Sequence, residues 1–117
     1  MPDLALTKPT FWILIALANG RCHGYDILRE TARASEGAVS LKATTLYAAL
    51  ERMQREGLID QDGEEIVNGR ARRYYLITEQ GSVALAHEAA MLERQAKVAR
   101  ERLDRVGIAS VKFGFAV

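Results

Sequence analysis

With a single cysteine, Cys22, the chain cannot form an intrachain disulfide or a metal site built from several thiolates, and a reducing compartment is its natural home. Histidine is nearly as scarce, and His23 and His87 stand too far apart to suggest a paired ligand site, so no metal and no cofactor are expected. There is no nucleophile with a base at useful spacing and no glycine-rich phosphate loop, which argues against an enzyme. Charge of one sign is lacking too. Sixteen basic and 15 acidic residues leave a net charge of +1, so the molecule has no strong positive field, and any nucleic-acid contact must rest on local placement. The apolar run from Phe11 to Ala18 is too short to span a bilayer, and Asp3 and Lys8 precede it without a cleavage-like ending. No membrane partner and a cytoplasmic location are therefore expected. The sequence also shows no repeat and no low-complexity segment.

What is present is a chain of 117 residues, enough for a single core, organised around the stretch Ser40 to Gly81. Its first part places Ala43, Leu46, Tyr47, Leu50 and Met53 at helical spacing as an inner face. Thr44, Thr45, Ala48, Arg52 and Arg55 fall to the wetter side, which can meet a partner. Gly57 ends the helix, and Leu58 to Gln61 begin an extended run. After a tip rich in glycine, asparagine and acid, Arg70 to Ile77 return as a second strand, and Thr78 is placed to cap a further helix. A helix followed by a basic-rimmed hairpin outlines a winged helix-turn-helix, a mainly α fold of the α+β class. Arg70, Arg72 and Arg73 on the wing admit two readings: contact with a nucleic-acid backbone, or a solvated edge that resists strand-to-strand aggregation. Asp60, Asp62, Glu64 and Glu65 lie on the opposite arm, and a DNA contact needs them turned away.

Upstream, residues 1–9 read as an N-terminal arm in which Leu4 and Leu6 could dock, and residues 10–78 as the winged domain. Thr10 is expected to cap a helix over Phe11 to Ala18 that is apolar all round and so must be buried on all sides, with Trp12 or Ile15 free to face a second subunit. Asn19-Gly20 ends it. His23 to Asp26 open the next helix, with Ile27, Leu28 and Ala32 inward and Arg29, Glu30 and Arg33 outward. His23 reads as a capping or surface residue, or alternatively as a ligand or acid-base group. Cys22 reads as a small residue in a loop or helix start, whose neighbours Arg21 and His23 would lower its pKa if it had a redox role. Ser35-Glu36-Gly37 break the pattern, giving three helices before the hairpin, the helix-turn-helix count. Residues 79–106 read as one long helix. Leu85, Ala89, Leu92, Ala96, Ala99, Leu103 and Val106 advance in steps of four and three, the seam of a coiled coil between two copies, or else a stripe packed on its own domain. In the tail, residues 107–117, Val111, Phe113, Phe115 and Val117 alternate as in a strand.

Three segments together resemble the PadR family of bacterial transcriptional regulators. Ile13 to Leu17, leading through Gly20 to His23-Gly24-Tyr25-Asp26-Ile27, is similar to the family's first helix and its entry to the second. Thr45 to Leu50, leading to Glu56-Gly57-Leu58-Ile59, resembles its recognition helix. Arg72 to Thr78 with Gly81 resembles the returning wing strand and the start of the dimer helix. The resemblance implies a homodimeric repressor of a near-palindromic operator in double-stranded DNA, of the small subfamily with a single C-terminal dimerisation helix. It assigns DNA contact to Tyr25, Thr45, Tyr47 and the wing arginines, while Tyr47 also has a reading as core. Lys42, Thr44 and Arg52 on the same helix complete the candidate set. The chain departs from the family at Lys42-Ala43, where a capping residue and Pro or Glu are common, and at Ala48, where Pro is common. Ser40 is then the expected cap, one turn earlier.

The expected function is a sequence-specific DNA-binding regulator, a repressor released by a small apolar or aromatic effector. Such an effector would bind between subunits, near Trp12, Leu92 and Ala96, and change the spacing of the two recognition helices. The alternative is a winged-helix module that binds protein and not DNA, which the near-neutral charge and the acidic hairpin arm suggest.

Overall fold

The structure, a computed structural model, describes residues 6–107. The tail positions Val111, Phe113, Phe115 and Val117, and Leu4 of the arm, lie outside the described residues. The elements in chain order are α1 (Lys8–Ala18), β1 (Cys22–His23), α2 (Gly24–Ala34), α3 (Ala43–Arg55), β2 (Ile59–Val67), β3 (Arg70–Ile77) and α4 (Glu79–Val106). They form a winged helix-turn-helix with an antiparallel sheet of order β1-β3-β2. The chain divides into two units, Met1–Ala86 and His87–Val117.

Helix α1 starts earlier than its apolar run suggests. Thr7, not Thr10, is the N-cap, its hydroxyl accepting from the Thr10 amide at 3.3 Å, and Pro9 sits in the first turn, where a missing N–H costs nothing. Lys8 and Pro9 therefore belong to the helix and not to an arm. Thr10 is buried inside it, beside Ile13, Leu14, Ala16 and Leu17, while Phe11, Trp12 and Ile15 are half-buried.

His23 caps α2, its Nδ1 accepting from the Asp26 amide. Cys22 lies neither in a loop nor in a helix start: Cys22 and His23 pair with Tyr75 and Tyr74 as the edge strand β1. Two residues carry no detectable period, so only the pairing reveals this strand. The inner stripe of α2 is led by Ile27 and Thr31, with Leu28 half-buried, and the Thr31 hydroxyl is satisfied by donating to the Leu28 carbonyl at 3.0 Å.

In α3 the buried face is Leu46, Ala49, Leu50 and Met53. Ala43 and Tyr47, expected inside, are exposed, because the core stripe runs one position further round the helix than the larger side chains imply. Lys42 occupies the N-cap position without a side-chain bond, so Ser40 does not cap the helix. The far end is closed firmly. Gly57 takes a φ of +81°, its amide donates to the Gln54 carbonyl at 3.1 Å, and the Leu58 amide donates to Met53 at 3.0 Å. This is the paired bonding of a Schellman ending, and it turns the apolar Leu58 into the core.

From there β2 runs out and β3 returns through Asn68-Gly69, both at positive φ, as in a two-residue type I′ turn. Thr78 then caps α4 as expected, its hydroxyl accepting from the Gly81 amide at 2.9 Å and donating to the Gly57 carbonyl at 2.7 Å. In the first unit, Ala84 and Leu85 pack against the core. Gly81 lies so close to the chain that a Cβ there would sit 2.1 Å from the Leu58 carbonyl oxygen. Gly81→Ala is accordingly expected to destabilise the protein by about 1–3 kcal/mol, the cost of overpacking against unyielding backbone. A lowered urea midpoint with an unchanged denaturant slope would show it.

Candidate nucleic-acid interface

The exposed side of α3 begins at Lys42 and continues through Thr44, Thr45, Tyr47, Ala48 and Glu51. Thr44, Tyr47, Ala48 and Glu51 recur at helical spacing and share one face. Tyr47 is 45% exposed, and its ring lies against the start of α2, where a Cβ on Gly24 would be 2.2 Å from the phenolic oxygen. Glycine at this position is what lets the ring approach. Next to Gly24 stands Tyr25, 57% exposed in the first turn of α2, with the Arg29 guanidinium 4.9 Å from its ring centre.

The wing completes the surface. His23, Gly24, Tyr25 and Tyr47 line a groove together with Arg70, Arg72 and Arg73. Residues from α2, α3 and β3 are thus brought together although the sequence separates them widely. Arg52 is placed elsewhere. It lies one helical turn beyond the buried Ala49, and its Nη2 donates to the Thr10 hydroxyl of α1 at 2.7 Å while Nε stands 3.8 Å from Glu56. Its side chain is still 41% exposed, but these bonds brace α3 against α1 and keep it out of the groove lining.

The carboxylates opposite the wing arginines are largely occupied. Asp62 pairs with Arg21 at 2.9 Å, Glu65 accepts from the Tyr74 hydroxyl at 2.6 Å, and Glu64 approaches Arg73 at 4.0 Å. The bond to Glu65, more than burial, raises the pKa of the Tyr74 phenol. Among the described residues Arg70 and Arg72 make no ion pair, which leaves two cations uncommitted at the groove.

Reading the sequence missed three residues here. Glu51 follows Tyr47 by one turn and lines a neighbouring hollow with Arg73, a spacing that could have flagged it. Arg29 is four residues from Tyr25, again a legible helical pair. Arg21 has no local signal, because its partners Asp62 and Tyr74 are far along the chain.

Cys22 is half-buried, and burial, followed by the charges of Asp26 and Glu30, pushes its thiol pKa up. The expectation that Arg21 and His23 would lower it fails because the Arg21 guanidinium is turned away, onto Asp62 and Tyr74. The proposed effector residues lie on separate elements: Trp12 is half-buried and edge-on to Phe11 at 5.6 Å, and Leu92 and Ala96 are exposed on α4. Along α4 in the second unit, Ala89, Leu92, Ala96, Ala99, Leu103 and Val106 are all exposed, while Leu85 in the first unit is half-buried. Among the described residues no cluster could hold a metal ion, and no helix is long and apolar enough to cross a membrane.

Comparison with known proteins gives concordant matches. The model of the transcriptional regulator PadR-like family matches residues 13–87. A transcriptional regulator of Mycobacterium tuberculosis is 33% identical over 85 residues, 73% of this chain and 76% of that protein. An uncharacterized protein of Lysinibacillus sphaericus is 30% identical over 64 residues, 55% of this chain, and the match spans 59% of that relative's length. Among solved structures, a PadR family transcription regulator from Clostridium difficile has a TM-score of 0.68 at 28% identity, covering 83% of this chain and 99% of that one. Bacillus subtilis PadR in complex with operator DNA has a TM-score of 0.59 at 25% identity, covering 67% of this chain and 44% of that one.

The raised pKa of Cys22 has a direct readout. Its alkylation by iodoacetamide is expected to be slower than that of glutathione at pH 8, and its rate to rise at higher pH, because the thiolate is the reacting form. A faster reaction than glutathione at that pH would contradict this.

Proposed function

This chain belongs to the PadR-like family of transcriptional regulators, and from that premise we propose that it binds double-stranded DNA as a homodimer and represses transcription until a small effector releases it. The observation that carries the proposal is the groove itself. Tyr25, Tyr47 and three wing arginines line it, and Tyr47 continues the exposed stretch of α3 that opens with Lys42, Thr44 and Thr45. A helix of this kind fits the major groove, where its side chains meet base edges, and arginines to one side meet phosphates. Lys42 and the uncommitted Arg70 and Arg72 suit phosphate, and Thr44, Thr45 and Tyr47 suit base edges or sugar. The operator complex of Bacillus subtilis PadR supports the same use of the shared fold.

Dimerisation is supported by the helical part of the second unit. Leu92, Leu103 and Val106 are 42%, 40% and 64% exposed, with Ala96 and Ala99 between them, and an apolar stripe of this length lowers its free energy by meeting another like it. A second copy would supply a second reading head, and a near-palindromic operator follows from two-fold symmetry. Release would act through the start of α4, which is bonded to the end of α3. Thr78 donates to the Gly57 carbonyl, and the Gln80 side chain donates to Glu56 at 3.4 Å. A small apolar or aromatic molecule held at the subunit contact, with Trp12 on α1 and Leu92 and Ala96 on α4 as separate candidates, would favour one angle between subunits, and so one spacing of the two α3 helices. The alternative of a protein-binding module draws on the near-neutral charge and the acidic wing arm, of which Asp62 is paired with Arg21 and Glu64 approaches Arg73.

Affinity for a selected duplex should fall steeply with salt, with a log–log slope of about −0.9 per phosphate contacted. Arg72→Ala with Arg73→Ala is expected to reduce that slope by up to roughly two, at nearly unchanged melting temperature. Leu103→Glu should shift the sedimenting species from two copies to one and weaken binding in parallel. Affinity indifferent to both changes would favour the interaction module. Trp12 is the sole tryptophan, so its fluorescence should change on adding an apolar aromatic effector that also releases DNA. Release without any change at Trp12 would remove that residue from the effector site.

A further inference from the structure

The wing does not leave the sheet as a regular ladder. Gln61 pairs with Tyr75 and Glu64 with Arg73, so Asp62 and Gly63 together face the single residue Tyr74. This is a β-bulge, within which Gly63 takes a positive φ of 91°. Such a bulge bends its strand and strengthens the local twist, so it sets the direction of everything beyond it. Beyond it lie Glu64, Glu65, the tip, and all three wing arginines.

Arg21, in the turn between α1 and β1, grips this bulge from outside the hairpin. Its Nε and Nη2 donate to the Asp62 carbonyl at 3.2 and 3.1 Å, and Nε also meets the Asp62 carboxylate at 2.9 Å. The guanidinium carbon lies 3.8 Å from the centre of the Tyr74 ring, so the plane packs on the residue opposite the bulge. Tyr74 in turn meets His23 edge-on and donates to Glu65. One side chain therefore touches both strands at the point where their register shifts, and ties that point to the helical body.

We propose that Arg21 is a positioning residue for DNA binding, which holds the bulge at Asp62-Gly63 and so aims Arg70, Arg72 and Arg73 at the backbone. The inference rests on the reading of the wing as a DNA-contacting element. It needs the planar, forked guanidinium and not merely a positive charge, because two donors must reach one carbonyl while the plane stacks on a ring. A direct phosphate contact by Arg21 has the opposite signature: lysine would serve, and removing the nearby Asp62 carboxylate would strengthen binding.

The test uses a duplex selected from a random-sequence pool by the wild-type chain, with affinities measured for Arg21→Lys and Asp62→Ala. Hydrogen exchange of the amides of residues 63–73 is followed without DNA in the same proteins. Both variants are expected to bind roughly tenfold more weakly, as for the loss of one charge-assisted contact, at unchanged melting temperature. Their wing amides should exchange faster than in the wild type. Wild-type affinity in Arg21→Lys overturns the proposal, and so does tighter binding by Asp62→Ala. If the wild-type chain selects no duplex, the DNA-contacting reading of the wing fails, and the exchange rates by themselves then support or overturn the hold of Arg21 on the bulge.

Discussion

The first unit depends on one junction, where the end of α3, the start of β2 and the first turn of α4 share their backbone bonds. Gly57 closes α3, Leu58 drops into the core, and the Leu58 carbonyl then accepts from the Thr78 amide at 3.1 Å. Thr78 answers by capping α4 and donating to Gly57. Groups that a helix end normally leaves unpaired are satisfied by the next element, so none of the three can shift without breaking a hydrogen bond. Gly81 is the price of that closeness. Because the exposed side of α3 stands on this junction, its orientation is fixed by backbone bonding and not by surface charge.

The near-zero net charge becomes understandable on the same local scale. At physiological salt the screening length is about 8 Å. An anion at the groove would therefore feel Arg70 and Arg72 far more than the whole molecule's sum. The acids that cancel them in the total are spent elsewhere. Asp26 and Glu30 pair along α2 with Arg29 and Arg33, and Asp62 is engaged by Arg21. Partnered charges of this kind hold elements in place, and at the groove itself Arg70 and Arg72 are left without an ion pair among the described residues.

Helix positions and the hairpin were legible because each rests on a local rule. The 3.6-residue stripe of Leu46, Leu50 and Met53 marks α3, Gly57 its end, Asn68-Gly69 the wing tip, and Thr78 the cap of α4. Errors arose where a decision needed a distant partner. Tyr47 was open between core and surface, and only Gly24, which admits its ring against α2, fixes it half-exposed at the groove. Arg52 has the sequence position of a surface arginine, yet Thr10 of α1 claims it. Cys22 has basic neighbours along the chain, yet burial, and after it the charges of Asp26 and Glu30, raises its pKa.

By itself the sequence determined the class of fold, the order of its helices and hairpin, and the family, since periodicity, turn residues and short motifs are properties of neighbouring positions. Tertiary structure alone decided which residues form the groove, the existence of β1, and the grip of Arg21 on the wing. The physical reason is the range of the interactions. Helical and turn preferences act over a few residues, whereas a hydrogen bond between Arg21 and Asp62, or a ring fitted against Gly24, exists only after the chain has brought remote segments within a few ångströms.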